Sequence, residues 1–394
     1  MKKEILFIMN NLNCGGAEKS LVSLLQALDY SQYNVDLFLF KNEGMFLKQV
    51  PQEVTILSPP KNYPFFDMSI KKAIIQNLNK GNFKVIFYRV LAGFVYRIEK
   101  EPAVREQKVW KYLKKVVKPI EKKYDVAIGY LEKTPNYFCV DKVIAKFKIG
   151  YIHTDYLEYK MNSKIDYPYF QKLNTIITVS ETSKKILGNS FPLLKHKFDV
   201  IKSITSSKNI ISLAKEPVSF EKKGIALLSI GRLSSEKGYD LAINACKILV
   251  GRGIELSWYV IGEGKERNNL LHLISENKLE DKFFLLGNKQ NPYPYIKASD
   301  IFVHTARFEG YGIVVNEAKV LNKPILATNF NSVSDQIINN YNGLIAEMDS
   351  ESIAKNLERL ILDPTLRNKF SENLAKENFG TEKEIKKFYN LIEN

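Results

Sequence analysis

Glu309 and Glu317 bracket two glycines in the stretch FEGYGIVVNEA, a pattern suited to a ligand carrying hydroxyls on either side of an anion. The preceding DIFVHTA, residues 300–306, is apolar enough for a buried strand. Gly310 and Gly312 let backbone amides approach a ligand. Tyr311, Ile313 and Val314 then lead into a helix whose N-terminus favours negative charge. Glu309 falls in the loop before the first turn and Glu317 about one turn inside, at roughly 1.5 Å of rise per residue. Each carboxylate can accept a charge-assisted hydrogen bond from a sugar or ribose hydroxyl, which sketches a nucleotide-sugar with its diphosphate at the amides. A plainer account is open too, since an acid near a helix N-terminus often only complements the helix dipole.

A second strand, glycine turn and helix follow the same plan in LLSIGRLSSEKGYDLAI, residues 227–243, where Arg232 and Lys237 stand between Gly231 and Gly238. Two cations in such a turn suit phosphate, although either could be a solvated loop charge. The N-terminal NNLNCGGAEKSLVSLL repeats the motif with Gly15 and Gly16 after the first strand. His153 in GYIHTDY follows an apolar strand, at the strand end where open α/β sheets place ligands. Asp155 beside it is a candidate acceptor contact.

In this order and spacing, GRLSSEKG, VIGEG at 260–264, ASDIFVHTARFEGYGIVVNEA and YNGLIAE at 341–347 resemble the C-terminal half of the retaining family-four glycosyltransferases. The likeness runs from about Gly224 to Asp363, and the GGAEK loop extends it across most of the chain. It implies the GT-B arrangement, two Rossmann-like doubly wound domains facing a central cleft, with the nucleotide-sugar donor held by the C-terminal domain and the acceptor by the N-terminal one. It assigns Gly15, Gly16, Arg232, Lys237, Glu309, the Gly310 to Val314 backbone and Glu317 to the donor, and makes His153 the cleft histidine near the bond that breaks. It also implies retention of anomeric configuration without a divalent metal, which fits the lack of a well-placed Asp-x-Asp. Glu309 is then a positioning group, with Arg232, Lys237 and the amides stabilising the leaving diphosphate. The chain departs from the family at Lys202, Ser203 and Ile204, where an Asn-Gly turn commonly follows the hinge strand.

Composition fits this frame. A chain of 394 residues, 45% hydrophobic, can bury two sizeable cores. No apolar run reaches spanning length, because Arg89 and Arg97 interrupt VIFYRVLAGFVYRI. The start, MKKEILFIMNNLN, reads as a strand rather than a signal peptide. Cys14, Cys139 and Cys246 are too scattered for a disulfide framework or zinc site, which suggests a reducing cytoplasm.

Alternating strands and helices predict a parallel sheet in each half. The expected strands are near 4–9, 34–40, 54–57, 126–130, 148–152 and 175–180, then 225–230, 256–261, 283–286, 300–304, 324–328 and 343–346. The segment VIKSITSSKNI, 200–210, reads as a hinge, giving domains of 1–203 and 204–380. The amphipathic end 381–394 resembles the family's last helix, which returns to the first domain.

Charge is concentrated in the first half. Residues 1–200 carry 32 Lys and Arg against 19 Asp and Glu, and Lys71 to Lys123 carry 15 against 4. That stretch interleaves its cations with Phe83, Phe87, Tyr88, Phe94, Tyr96, Trp110 and Tyr112, as a basic amphipathic surface for an anionic membrane would. An ordinary solvated helix face is the alternative, and no RNA- or DNA-binding motif accompanies the charge. The expectation is a peripheral enzyme on the inner face of the cell membrane, acting on a lipid-linked oligosaccharide. FNSVSDQI at 330–337 also resembles capsule-type members. A soluble sugar or sugar-phosphate acceptor and a non-catalytic partner subunit remain the alternatives. UDP is favoured over GDP as the donor's nucleotide only by its frequency.

Overall fold

The computed structural model describes residues 2–218 and 223–393. The chain divides into two compact units, one formed by residues up to 13, 17–202 and from 385 on, the other by 14–16 and 203–384.

The first unit has seven strands: β1 (Lys3–Met9), β2 (Tyr33–Leu39), β3 (Val54–Ile56), β4 (Lys123–Gly129), β5 (Ile144–Ile152), β6 (Thr175–Thr178) and β7 (Phe198–Val200), in sheet order β3-β2-β1-β4-β5-β6-β7. Every pairing is parallel. Ile5 to Met9 of β1 are wholly buried, as expected for a parallel strand covered by helices on both faces. β7 lies partly in the expected hinge; three residues are too few to set up a readable period.

The second unit has β8 (Ile225–Ile230), β9 (Leu256–Ile261), β10 (Phe283–Leu285), β11 (Ile301–His304), β12 (Ile325–Thr328) and β13 (Leu344–Ala346), ordered β10-β9-β8-β11-β12-β13 and all parallel. One face packs a core around Trp258, Leu249 and Phe370, and the other a core around Phe302, Val315 and Phe330. The fold class expected from the sequence is therefore present in each half: a doubly wound parallel sheet whose order reverses beside its first strand.

The C-terminal segment splits between the units. Thr381 donates to the Ser203 carbonyl at 2.6 Å, and the Glu382 carboxylate accepts from the Ser207 amide and hydroxyl at 2.8 and 3.0 Å, all within the second unit. The helix Glu384–Glu393 follows. From it Phe388 stacks 6.0 Å from Phe7, and Tyr389 5.7 Å from Tyr33, within the first unit. Asn394 lies outside the described residues.

The structure sorts the basic, aromatic stretch of the first unit by burial. Trp110 is fully buried and donates to Asp141 at 3.0 Å, while Tyr88 and Tyr112 pack partly against the same core. Phe83, Phe87, Phe94 and Tyr96 are exposed, on the helix Phe83–Ile98.

Candidate active site

In the second unit the strand order reverses between β8 and β11, and at such a point the loops leaving the two strands diverge and open a crevice at the C-terminal edge of the sheet. The loop after β8 carries Arg232 and Lys237, and the loop after β11 carries Glu309 and the glycines. Lys237 Nζ forms an ion pair with Glu309 Oε1. His304, the last residue of β11, brings Nε2 to 3.2 Å from the same oxygen. The three side chains are mostly buried, at 19%, 16% and 4% exposure. Burial alone would push the Glu309 carboxyl up, but the Lys237 charge and His304 outweigh it and hold the group at about 2. Glu309 is thus an anion at neutral pH.

Backbone geometry sets this cluster. Gly238 adopts φ 64°, and a side chain there would run into the Thr305 carbonyl, so only glycine lets the β8 loop close onto the β11 loop. The Thr305 hydroxyl donates back to the Lys237 carbonyl at 2.9 Å, and Arg307 grips Asp240 with two nitrogens at 2.9 and 2.6 Å. Gly312, at φ 78°, caps the helix Ile313–Val320 in the left-handed region. Gln336 donates to the Tyr311 and Gly312 carbonyls and Ser332 to the Glu309 carbonyl, fixing the glycine turn from behind.

Of the remaining expected residues in this unit, Glu317 is buried on the first face of that helix and its Oε1 accepts from the Tyr293 hydroxyl at 3.2 Å. The two glutamates therefore have separate partners. Tyr311 is buried, which pushes its hydroxyl up to about 12, while Ile313 and Val314 are partly exposed at the helix start. Arg232 is exposed and forms no ion pair among the described residues. Gly310 is buried in the turn.

In the first unit, Gly16 opens the helix Gly16–Ala27 after β1, and Cys14 to Gly16 group with the second unit. His153 follows β5, its ring 5.0 Å from Tyr130 and 5.5 Å from Tyr151, and its amide donates to Glu132 at 3.1 Å. Burial pulls the imidazole down to about 4, against a backbone hydrogen bond at Tyr130, so the ring is neutral at pH 7. Its Nε2 is buried without a hydrogen-bond partner among the described residues. Asp155 is buried and accepts from the Leu157 and Glu158 amides at 3.0 and 3.1 Å, which gives it a place in the turn's own bonding.

Sequence reading missed His304, Arg307, Asp240, Ser332 and Gln336. Only His304 carried a signal, as a polar residue ending an apolar strand and aimed at the loops beyond it. Among the described residues no three His, Cys, Asp or Glu side chains come together as metal ligands would.

Residues 212–377 match the glycosyl transferases group 1 family. This chain belongs to that family. An uncharacterized glycosyltransferase of Methanocaldococcus jannaschii is 28% identical over 265 residues, covering 58% of this chain and 65% of the relative. The N-acetylgalactosamine-N,N'-diacetylbacillosaminyl-diphospho-undecaprenol 4-alpha-N-acetylgalactosaminyltransferase of Campylobacter jejuni is 30% identical over 209 residues, covering 52% and 56%. The match thus spans between about half and two thirds of the length of these relatives. In fold the group 1 chain is similar to TarM of S. aureus, solved with Fondaparinux, alpha-GlcNAc-glycerol and UDP, at a TM-score of 0.69 and 16% identity over the whole of both chains. The fold is the GT-B pair of Rossmann-like domains.

Proposed function

We propose that this protein is a retaining, metal-independent glycosyltransferase that moves a hexose-type sugar from a nucleoside-diphosphate sugar to a lipid-linked oligosaccharide in surface polysaccharide synthesis. The observation that carries the donor half is the buried Lys237–Glu309–His304 cluster beside the Gly310–Gly312 turn and a helix N-terminus. In this reading Glu309, fixed as an anion, accepts a hydrogen bond from a sugar hydroxyl, and Glu317 takes the ribose end. Arg232 and Lys237 face the diphosphate with the amides of residues 310–314, where negative charge grows as the anomeric carbon–oxygen bond breaks. The acceptor oxygen bonds to that carbon on the same face, and its proton passes to the departing phosphate oxygen. His153 is assigned to the donor sugar by family resemblance, and its buried, unbonded Nε2 is consistent with that role. Gly15 and Gly16 approach the phosphates in the same assignment.

Uridine is the favoured base because TarM was solved with UDP. A lipid-linked acceptor is favoured because the Campylobacter relative is named for a diphospho-undecaprenol substrate. The basic first unit fits the same picture, docked on the inner membrane face, and no described helix is long and apolar enough to cross a membrane. The test is thermal stabilisation by nucleoside diphosphates and their sugars in the presence of EDTA, since a ligand of the native state raises its apparent stability. A shift with uridine nucleotides alone supports the reading. No shift with any nucleotide would favour a partner subunit without catalysis, and a shift that needs added metal would remove the metal-free mechanism.

A further inference from the structure

A pocket of about 410 Å³ in the first unit is lined by Lys84, Lys115, Lys118 and Lys142, with Asn62 and Asn82 among its other walls. No acidic residue lines it. None of the four lysines has an ion-pair partner among the described residues. The nearby Asp141 is already engaged, accepting from Lys114 at 3.1 Å and from Trp110 at 3.0 Å. The like charges are close enough to act on one another: burial lowers the Lys142 ammonium, Asp141 opposes this, and Lys114, Lys115 and Lys84 add to the lowering. Four uncompensated cations around a concavity are electrostatically costly until an anion enters.

The pocket sits at the start of the helix Phe83–Ile98, where Asn82, Lys84 and Val85 line it. The same helix leaves Phe83, Phe87, Phe94 and Ile98 exposed, at 67%, 59%, 54% and 76%. At about 100° per residue these four fall within roughly 60° of one another, one stripe along the helix. Ile75 and Leu78, also more than half exposed, lie on the preceding helix Ile70–Leu78. Aromatic residues on one face beside lysines describe a helix lying in the boundary between lipid headgroups and acyl chains. A water-soluble anion would account for the lysines and leave the stripe unexplained.

We propose that the four-lysine pocket seats the phosphate-bearing headgroup of an anionic glycerophospholipid while the Phe83–Ile98 stripe enters the bilayer interface. The inference deepens the membrane-docked reading above and rests on it. The headgroup phosphate replaces water at the lysine ammoniums, and the stripe begins at Phe83, between the pocket residues Asn82 and Lys84.

Vesicle flotation of the whole protein tests this, with phosphatidylcholine vesicles against vesicles containing 30% phosphatidylglycerol. At roughly 1 kcal/mol per lysine near the surface, replacing Lys84, Lys115, Lys118 and Lys142 by Gln should weaken binding to the anionic vesicles by at least 20-fold. Phe83→Ser with Phe87→Ser should weaken binding to both vesicle types. If the quadruple variant misfolds, Lys84→Gln with Lys118→Gln, both at exposed positions, should still cost at least fivefold. Glycerol 1-phosphate at millimolar concentration should not displace the protein. Tight anionic-vesicle binding by wild type that all lysine variants retain overturns the pocket and leaves membrane docking in place through another face. Displacement by glycerol 1-phosphate with no vesicle binding reassigns the pocket to a soluble phosphate. Absence of vesicle binding by wild type removes both this inference and the docked reading.

Discussion

Lys237 and Glu309 lie 72 positions apart and form a mostly buried ion pair with His304 at its edge. Removing one member strands the other in a poorly solvated site. Glu309→Gln should lower the transfer rate about 100-fold, the scale of losing one preorganised electrostatic contact to a transition state. The donor KM should change far less. Steady-state kinetics of both parameters check this, and an unchanged kcat would remove Glu309 from the reaction.

The depressed carboxyl also ties stability to pH. Glu309 sits at about 2 when folded against an ordinary 4.5, so its contribution is present in full above the unfolded value and is lost as pH falls from about 4.5 toward 2. Glu309→Gln should flatten the acid limb of the stability curve in that window. Urea unfolding at pH 5 and pH 3 measures the difference, which should narrow in the variant.

His153 has the same sign with a different window. Its folded value near 4 lies below the ordinary 6.5, so the neutral ring favours the folded state above 6.5 and that advantage disappears as pH drops toward 4. An NMR titration should find this ring unprotonated at pH 5.5. Protonation with a midpoint near 6.5 would contradict the buried environment.

Arg232 should behave oppositely to the ion pair. It is exposed and holds nothing else in place, so Arg232→Ala should leave the melting temperature within about a degree while weakening the donor roughly tenfold, the scale of one charge-assisted contact to phosphate. Calorimetric titration of the nucleotide reports the affinity.

Gly238→Ala should destabilise without touching any ligand group directly. The left-handed conformation costs a residue with a Cβ roughly 1–2 kcal/mol, and the Thr305 carbonyl occupies the space the methyl needs. A fall of several degrees in melting temperature is expected. An unchanged value would mean the two loops do not depend on this close approach.

The sequence by itself determined the two doubly wound sheets, because buried parallel strands are short apolar runs and their punctuation by glycine, lysine and asparagine is local. It also marked Glu309, Lys237 and the glycine turns, since strand-to-helix loops with glycines are visible as spacing. The three-residue β7 escaped because so short a strand has no period. Only the tertiary structure decided which charges meet. Glu309 pairs with Lys237 and His304 while Glu317 turns to Tyr293, and Arg307 clasps Asp240 across 67 positions. The same burial drew Trp110 into the core and left Phe83, Phe87 and Phe94 outside, although all four stand in one basic stretch of sequence. Partners in these contacts are chosen by the register of parallel strands and by where their loops converge, and neither is written in the spacing of residues along a single chain.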